Sequence, residues 1–121
     1  MRLVLLIVSI VTGLAMSSYA WAQDMSVVSD EGSFVEMIGG KKLTRFGIKL
    51  EVFPTGEIVG RAFGTPVTGA WEWEDGLFCR DLFFGDRDLG ANCQLVQVNG
   101  KTMRFTSDAG AGDFADFGLE D

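Results

Sequence analysis

Histidine is absent from this chain of 121 residues, and tyrosine occurs once, at Tyr19. Without histidine the chain cannot build a Ser-His-Asp triad, a Cys-His pair or a histidine-ligated metal centre. Its only cysteines, Cys79 and Cys93, are too few for a zinc site and lack the Cys-x-x-Cys spacing of redox pairs. The composition therefore favours a function other than catalysis.

Carboxylates with arginine are the remaining candidates for acid–base chemistry, as in a paired-carboxylate glycosidase. The relevant residues of the central region are Glu72, Glu74, Asp81, Asp86, Arg80 and Arg87. Because Glu72 and Glu74 alternate with two tryptophans, strand periodicity places them on the solvent face. We therefore assign no catalytic residue, no metal ligand and no cofactor.

Residues 1–22 have the pattern of a secretory signal peptide. Arg2 supplies the positive charge, residues 3–11 form an apolar run, and Ala20-Trp21-Ala22 matches the small-x-small cleavage rule, which predicts a mature start at Gln23. The apolar run is short for a membrane span, although an uncleaved anchor is the alternative. The pattern predicts an exported protein, periplasmic or secreted, without stable membrane insertion after cleavage.

The predicted mature chain, 23–121, is one small acidic domain. Removing 22 of 121 residues leaves 99, and loss of Arg2 leaves nine of ten basic residues against 17 acidic ones, a net charge of −8. This acidity argues against nucleic acid or an anionic membrane as partner. We expect a monomer.

The two cysteines of an exported chain predict a disulfide. Cys79 and Cys93 enclose 15 residues counted inclusively. Closing a loop of this length stabilises a fold by roughly 3 kcal/mol in the chain-entropy model, which matters for a domain of this size.

The stretch 67–84 predicts a β-hairpin. Val67, Gly69, Trp71 and Trp73 alternate with more polar residues, as a half-buried strand requires. Asp75-Gly76 suits a two-residue hairpin turn, and residues 77–84 form the return strand.

A second hairpin is predicted at 94–107, with Asn99-Gly100 as its turn. This loop pairs Val98 with Lys101 and puts alternate apolar residues on one face. The predicted core of the two hairpins is Trp71, Trp73, Phe78, Val96, Val98, Met103 and Phe105. A ligand-binding role for either tryptophan is the less favoured alternative.

Residues 30–38 predict one short helix that plugs a barrel end or covers a sheet face. Asp30 is the expected N-cap and Gly39-Gly40 the end, although a capping box of Ser33 and Glu36 would start the helix later. Phe34 falls on its apolar face, together with Met37 and Ile38.

The remaining segments predict further strands, at 43–53 with a break at Gly47, at 57–63 and at 114–119. The turn Gly64-Thr65-Pro66 has three or four residues; we favour four, which sets Gly60 opposite Trp71. Residues 85–92 are expected to form a polar loop. The fold class is all-β, a small antiparallel barrel-like (lipocalin-like) domain of six to eight strands with one short N-terminal helix, a sandwich being the alternative.

A barrel of about eight strands encloses side chains or one small ligand, so we expect any pocket at a mouth or on the outer face. Alternation places four aromatic residues away from the predicted core: Phe53, Phe63, Phe83 and Phe117. If they form one patch, it is a candidate surface for a partner or a lipid-like ligand.

Two short motifs match known sites only in part. Residues 110–115 read G-x-G-x-x-A, but six residues remain after Ala115, too few for a dinucleotide-binding βαβ unit. Asp86-x-Asp88-x-Gly90-x-Asn92 is similar to a calcium loop, but Gln97 stands at position 12 where an EF-hand needs glutamate. An irregular calcium site is the alternative to a solvated turn.

Several blocks resemble a family of small exported bacterial proteins: KKLTRFGIKL at 41–50, GRAFG at 60–64, TGAWEW at 68–73, LFCRDLFFG at 77–85, NCQ at 92–94 and RFTSD at 104–108. Some members carry the name dihydrodipicolinate reductase, which implies an oxidoreductase. That enzyme class needs a nucleotide-binding domain, a substrate domain and a far longer chain. We expect an exported, non-catalytic binding or envelope-accessory domain for a small apolar ligand or an envelope protein, with the reductase as the alternative.

Overall fold

The computed structural model describes residues 24–121, so the predicted signal peptide and its cleavage site lie outside the described residues. Within residues 24–121, one helix and nine strands follow one another, with a 3-10 turn, Asp108–Gly110, before the last strand. They are β1 (Ser26–Val27), α1 (Glu31–Ile38), β2 (Lys42–Arg45), β3 (Ile48–Val52), β4 (Glu57–Ala62), β5 (Thr65–Glu74), β6 (Leu77–Phe84), β7 (Arg87–Asn99), β8 (Thr102–Thr106) and β9 (Phe114–Glu120).

Strands β2 to β9 close into an eight-stranded antiparallel barrel. Each strand pairs with the next, and β9 returns to pair with β2, so that Leu43 lies opposite Leu119. The short β1 pairs with the last residues of β7. The prediction of an all-β barrel with one short helix is confirmed, and closure removes most of the exposed sheet edges.

The predicted alternation in β5 sets the inside and outside of the barrel. Val67 and Trp71 are buried, whereas Glu72 and Glu74 are exposed. The turn to β6 is Asp75-Gly76, as predicted, with φ values of 51° and 79° that suit this residue pair.

Helix α1 closes one end of the barrel. The carboxylate of Asp30 accepts a hydrogen bond from the backbone N–H of Ser33 at 3.0 Å, so the cap is Asp30 and the helix ends at Gly39 as predicted. Phe34 and Ile38 are almost fully buried. The Phe34 ring lies 5.3 Å from the Trp71 ring and 5.2 Å from the Phe78 ring, so this half of the interior is filled by side chains.

The predicted core residues lie inside the barrel. Trp71, Phe78, Val96, Met103 and Phe105 are buried, and Trp73 and Val98 are partly buried against them. The core also takes in residues outside the two central hairpins: Val28, Phe34, Ile38, Leu43, Val52 and Ile58.

The predicted register between β4 and β5 is wrong. The turn is the two-residue Phe63-Gly64, Ala62 pairs with Thr65, and Gly60 lies opposite Val67 instead of Trp71. Phe63 and Gly64 both have positive φ, 51° and 84°. A phenylalanine in this conformation gives no turn signal in the sequence, because the left-handed region favours Gly, Asn and Asp.

The predicted register of the β7–β8 hairpin is also wrong, although its faces are right. Val98 pairs with Met103 instead of Lys101, so the turn is Gly100-Lys101. Gly100 has a φ of 60° and takes the first turn position, where such turns favour glycine. The change keeps the parity of the pleat, and the same side chains point inward.

Residues 85–92 are strand for most of their length, which corrects the predicted polar loop. Gly85-Asp86 alone forms the turn, and β7 begins at Arg87. Leu82 pairs with Gly90 and Phe83 with Asp88, so Leu89 is the extra residue of a β-bulge beside Gly90, whose φ is 85°. The polar residues here mark the solvent-facing part of a strand.

Candidate functional site

A partly enclosed cavity of about 200 Å³ lies inside the barrel on the side away from α1. Phe78 and Phe105 form its floor, since their other sides contact Phe34 of the helix. The remaining lining residues are Leu43, Leu50, Val52, Ile58, Arg80, Leu82, Gln94, Ala115 and Phe117. The lining is therefore apolar apart from one cation and one amide.

Arg80 is the charged residue of this cavity. It lies between Phe78 and Leu82 in the inward-facing parity of β6. Its Nη1 donates a hydrogen bond to the carbonyl oxygen of Gly90 at 2.8 Å. Burial lowers the pKa of the Arg80 guanidinium, while the neighbouring Asp81 carboxylate raises it. Arginine keeps its charge in such surroundings, so the cavity holds a cation with further donors to offer.

The second polar lining residue, Gln94, connects the cavity to the loop between β8 and β9. Its Nε2 donates to Ser107 Oγ at 3.3 Å. Next to it, Asn92 Nδ2 donates to Asp108 Oδ1 and the Asp108 backbone N–H donates to Asn92 Oδ1, both at 2.8 Å. These bonds hold the loop against β7.

A second guanidinium lies near the cavity. Arg45, at the exposed end of β2, has its Cζ atom 5.6 Å from the centroid of the Phe117 ring, which lines the cavity. Arg45 therefore adds a second positive charge beside a wall residue of the cavity. The hydrogen bond from Arg104, helped by the charge of Arg45, lowers the pKa of the Asp116 carboxyl on β9.

The four aromatic residues predicted to lie away from the core do not form one patch. Phe117 is inside the barrel, its ring 5.8 Å from the Phe105 ring, which corrects the prediction that it faces outward. Phe53 lies near the helix-capped end, where its carbonyl oxygen accepts a hydrogen bond from Trp71 Nε1 at 2.8 Å. Phe63 and Phe83 are exposed on the outside.

The predicted disulfide is present. Cys79 and Cys93 lie directly opposite each other on β6 and β7, with their sulfurs 2.10 Å apart. Because Phe78 and Arg80 point inward, the intervening Cys79 points outward and the bond lies on the outer wall of the barrel.

The motifs that match known sites in part adopt other structures. The glycines at 110 and 112 belong to a turn that leads into β9, not to the start of a helix. Asp88 Oδ1 accepts a hydrogen bond from the Gly90 N–H, while Asn92 bonds to Asp108. Within residues 24–121, no group of three or more Asp, Glu, Cys or His side chains is placed to hold a metal ion.

Sequence analysis missed Arg80 as a cavity residue, although the signal was available. Once Phe78 is placed in the core, a period of two puts Arg80 on the same inner face. It also missed Phe46, which is 91% exposed on the β2–β3 turn. Phe46 is exposed because the segment 43–53 forms two strands, β2 and β3, and Phe46 lies on the turn between them.

Comparison with known proteins gives no relative: no family model, no curated protein and no solved structure matches the chain. Across the part of the chain that the structure describes, no helix has the length and apolar character needed to cross a membrane.

Proposed function

We propose that this chain is an exported, non-catalytic binding domain whose barrel cavity takes a small amphipathic anion. The observation that carries the proposal is Arg80, a cation in a cavity whose other lining residues are apolar except for Gln94. Desolvating a cation opposes folding unless something compensates for the lost hydration. A carboxylate bound beside Arg80 would supply that compensation, and the apolar walls would hold the rest of the ligand.

The cavity limits the size of the ligand. Its volume of about 200 Å³ lies below the range of roughly 300–1,000 Å³ typical of drug-sized ligands. A protein cavity of about 150 Å³ accommodates benzene. We therefore expect a ligand with one ring or a short acyl chain and a single acidic group.

Binding is favoured over catalysis by the composition of the cavity wall. Arg80 and Gln94 are its polar side chains, and neither is an acid–base group near neutral pH. Of the carboxylates considered from the sequence, Glu72, Glu74 and Asp81 are exposed on the outer face, and Asp86 is exposed on the β6–β7 turn. The reductase name carried by some of the proteins that the chain resembles gains no support from this arrangement.

Export and a lipocalin-like role belong to the same proposal. The signal-peptide pattern at 1–22 and the Cys79–Cys93 disulfide support an oxidising compartment, periplasmic or extracellular. An antiparallel barrel closed at one end by a helix, with a cavity at the other, supports comparison with lipocalin-like binders.

The test is calorimetric titration of the exported protein with benzoate and hexanoate, each beside its neutral alcohol. We expect saturable binding of an acid and an affinity about 10- to 100-fold lower in Arg80→Leu, because a charge-assisted hydrogen bond is lost. Arg87→Leu, an exposed arginine outside the cavity, is the matched control.

Two results would count against the proposal: no saturable binding of any acid, or an equal loss of affinity in both arginine variants. A parallel titration with NADPH tests the reductase alternative, since saturable micromolar binding of NADPH would favour that function.

A further inference from the structure

Two phenylalanine rings lie side by side at the tips of neighbouring turns. Phe46 is on the β2–β3 turn and Phe63 is on the β4–β5 turn, and they are 91% and 65% exposed. Their ring centroids are 6.4 Å apart. Both turns lie at the end of the barrel away from α1.

Phe63 occupies a strained position. Its φ of 51° lies in the left-handed region, where Asn or Gly is far more favourable than an aromatic residue. The ring rests on Gly47, where an added Cβ would lie 2.2 Å from it. The chain thus keeps an exposed ring where a polar turn residue would be more stable, which points to a use for that ring.

Two cations lie directly behind the rings. Lys49 and Arg61 are exposed and face each other across β3 and β4, a like-charge pair that opposes strand pairing. Arg61 Nη1 donates to the carbonyl oxygen of Gly64 at 2.7 Å, which holds its guanidinium near the turn. We call Phe46, Lys49, Arg61 and Phe63 the basic-aromatic tip.

Charge is segregated around this end of the barrel. Residues 45–50 and 59–66, which form the two turns and the strand ends beside them, contain three cations and no carboxylate in a chain with 17 acidic residues. The other two connections at the same end carry exposed carboxylates: Asp86 on one turn, with Asp88 on the adjoining strand, and Asp108 and Asp113 on the β8–β9 loop. Because salt screens charges beyond about 10 Å, an anionic surface at the tip meets mainly the cations.

We propose that the basic-aromatic tip docks the barrel reversibly on an anionic lipid surface. The two rings enter the interfacial region, and Lys49 and Arg61 meet the headgroups. The carboxylates of the other two connections tilt away from the surface, so the local charge reverses the expectation from the net charge of −8 of the predicted mature chain, nine basic against 17 acidic residues.

A lipid surface fits the tip better than an acidic protein does. A specific protein interface covers about 800 Å² on each partner and centres on residues seated in pockets. Two adjacent rings on projecting turns offer much less area. A bilayer interface needs no matching pocket and accommodates aromatic side chains together with cations.

The test is sedimentation of the exported protein with vesicles of phosphatidylglycerol and phosphatidylcholine in equal amounts, or of phosphatidylcholine alone. We expect binding to the anionic vesicles only, weakening with added salt. Phe46→Ser and the pair Lys49→Glu with Arg61→Glu should each lower the bound fraction severalfold. Phe63→Asn should do the same without lowering the melting temperature, because asparagine suits the turn.

The matched control is Phe114→Ser, a 55% exposed phenylalanine at the start of β9, on the acidic side of the same end. It should bind like the unmodified protein. Equal binding to both vesicle types, no binding to either, or an equal loss in Phe114→Ser and Phe46→Ser would overturn the proposal. Capture by an acidic protein without vesicle binding would likewise replace the lipid surface as partner.

Discussion

At the scale of single residues, replacing Arg80 should affect the binding of an anion but not the stability of the fold. Its guanidinium is partly buried and has one hydrogen-bond partner among the described residues, the carbonyl oxygen of Gly90. An apolar side chain of similar volume would suit the apolar walls of the cavity, because it carries no charge to be desolvated. Arg80→Leu should therefore weaken anion binding without unfolding the barrel.

Gly69 occupies a position where the neighbouring strand leaves no room for a side chain. A Cβ built on it would lie 2.2 Å from the carbonyl oxygen of Asp81 on the neighbouring strand. We predict that Gly69→Ala destabilises the protein by about 1–3 kcal/mol, the usual range for overpacking. Urea unfolding measures this change.

The control for Gly69→Ala is the same substitution at Gly32 in α1. Its nearest neighbour would be Asp30 Oδ2 at 3.4 Å, an ordinary contact. In a helix, alanine is more stable than glycine by up to about 1 kcal/mol, so Gly32→Ala should have the opposite sign. If both variants had equal stability, crowding at Gly69 would not be the reason for its glycine.

At the scale of elements, helix α1 depends on its cap. The Ser33 backbone N–H, followed by the Ser33 hydroxyl, holds the pKa of the Asp30 carboxyl below its usual value. A lowered folded-state pKa stabilises the fold above the unfolded value, about 3.9, and this contribution is lost as the pH falls through the folded-state pKa. Acid should therefore weaken the attachment of α1 to the barrel.

We predict that Asp30→Ala lowers the melting temperature at neutral pH, since the cap is lost. Asp30→Asn keeps a capping oxygen but cannot ionise. Its difference in melting temperature from the unmodified protein should therefore shrink as the pH falls below about 4. Circular dichroism melts at several pH values measure both effects. A pH-independent difference for Asp30→Asn would rule out the charge of Asp30 as the cause.

Local sequence signals predicted most of the helix and strand positions. The errors in strand register arise where such signals are ambiguous or absent. The helix, the β5–β6 hairpin and the inward faces follow from a cap, an Asp-Gly turn and alternation. The registers of β4–β5 and β7–β8 depend on which two residues form the turn. The β4–β5 turn could not be recognised, because Phe63 is not a typical turn residue. Both registers are shifted by an even number of residues, so the same side chains face inward. The core residues were therefore predicted correctly although their partners on the neighbouring strands were not.

The cavity was harder to foresee than the core, because it depends on how far the helix fills the barrel. Phe34 reaches the rings of Phe78 and Phe105 and stops there, which leaves the other half of the interior to Arg80 and its neighbours. Periodicity predicts that Arg80 lies on the inner face of β6, but it does not predict how much of the barrel interior the side chains of α1 fill. The sequence predicted a pocket at a mouth or on the outer face, whereas this cavity lies inside the barrel.

At the scale of the whole molecule, the disulfide joins β6, the strand that carries Arg80, to its neighbour β7. Cys79 precedes Arg80 on β6, and Cys93 lies directly opposite on β7. The barrel around them is closed by hydrogen-bonded strand pairs on every side. The bond therefore adds stability to a barrel whose strand pairing does not depend on it.

We predict that the double variant Cys79→Ala with Cys93→Ala unfolds in urea with a free energy about 2–4 kcal/mol lower than that of the unmodified protein. The strand pairs remain, so the far-ultraviolet spectrum and the affinity for the anionic ligand should be unchanged. Replacing both cysteines avoids a free thiol, and thiol titration of the unmodified exported protein should find none. Free thiols in that protein, or equal unfolding free energies, would contradict a stabilising bond. Loss of ligand affinity in a folded double variant would instead mean that the disulfide positions Arg80.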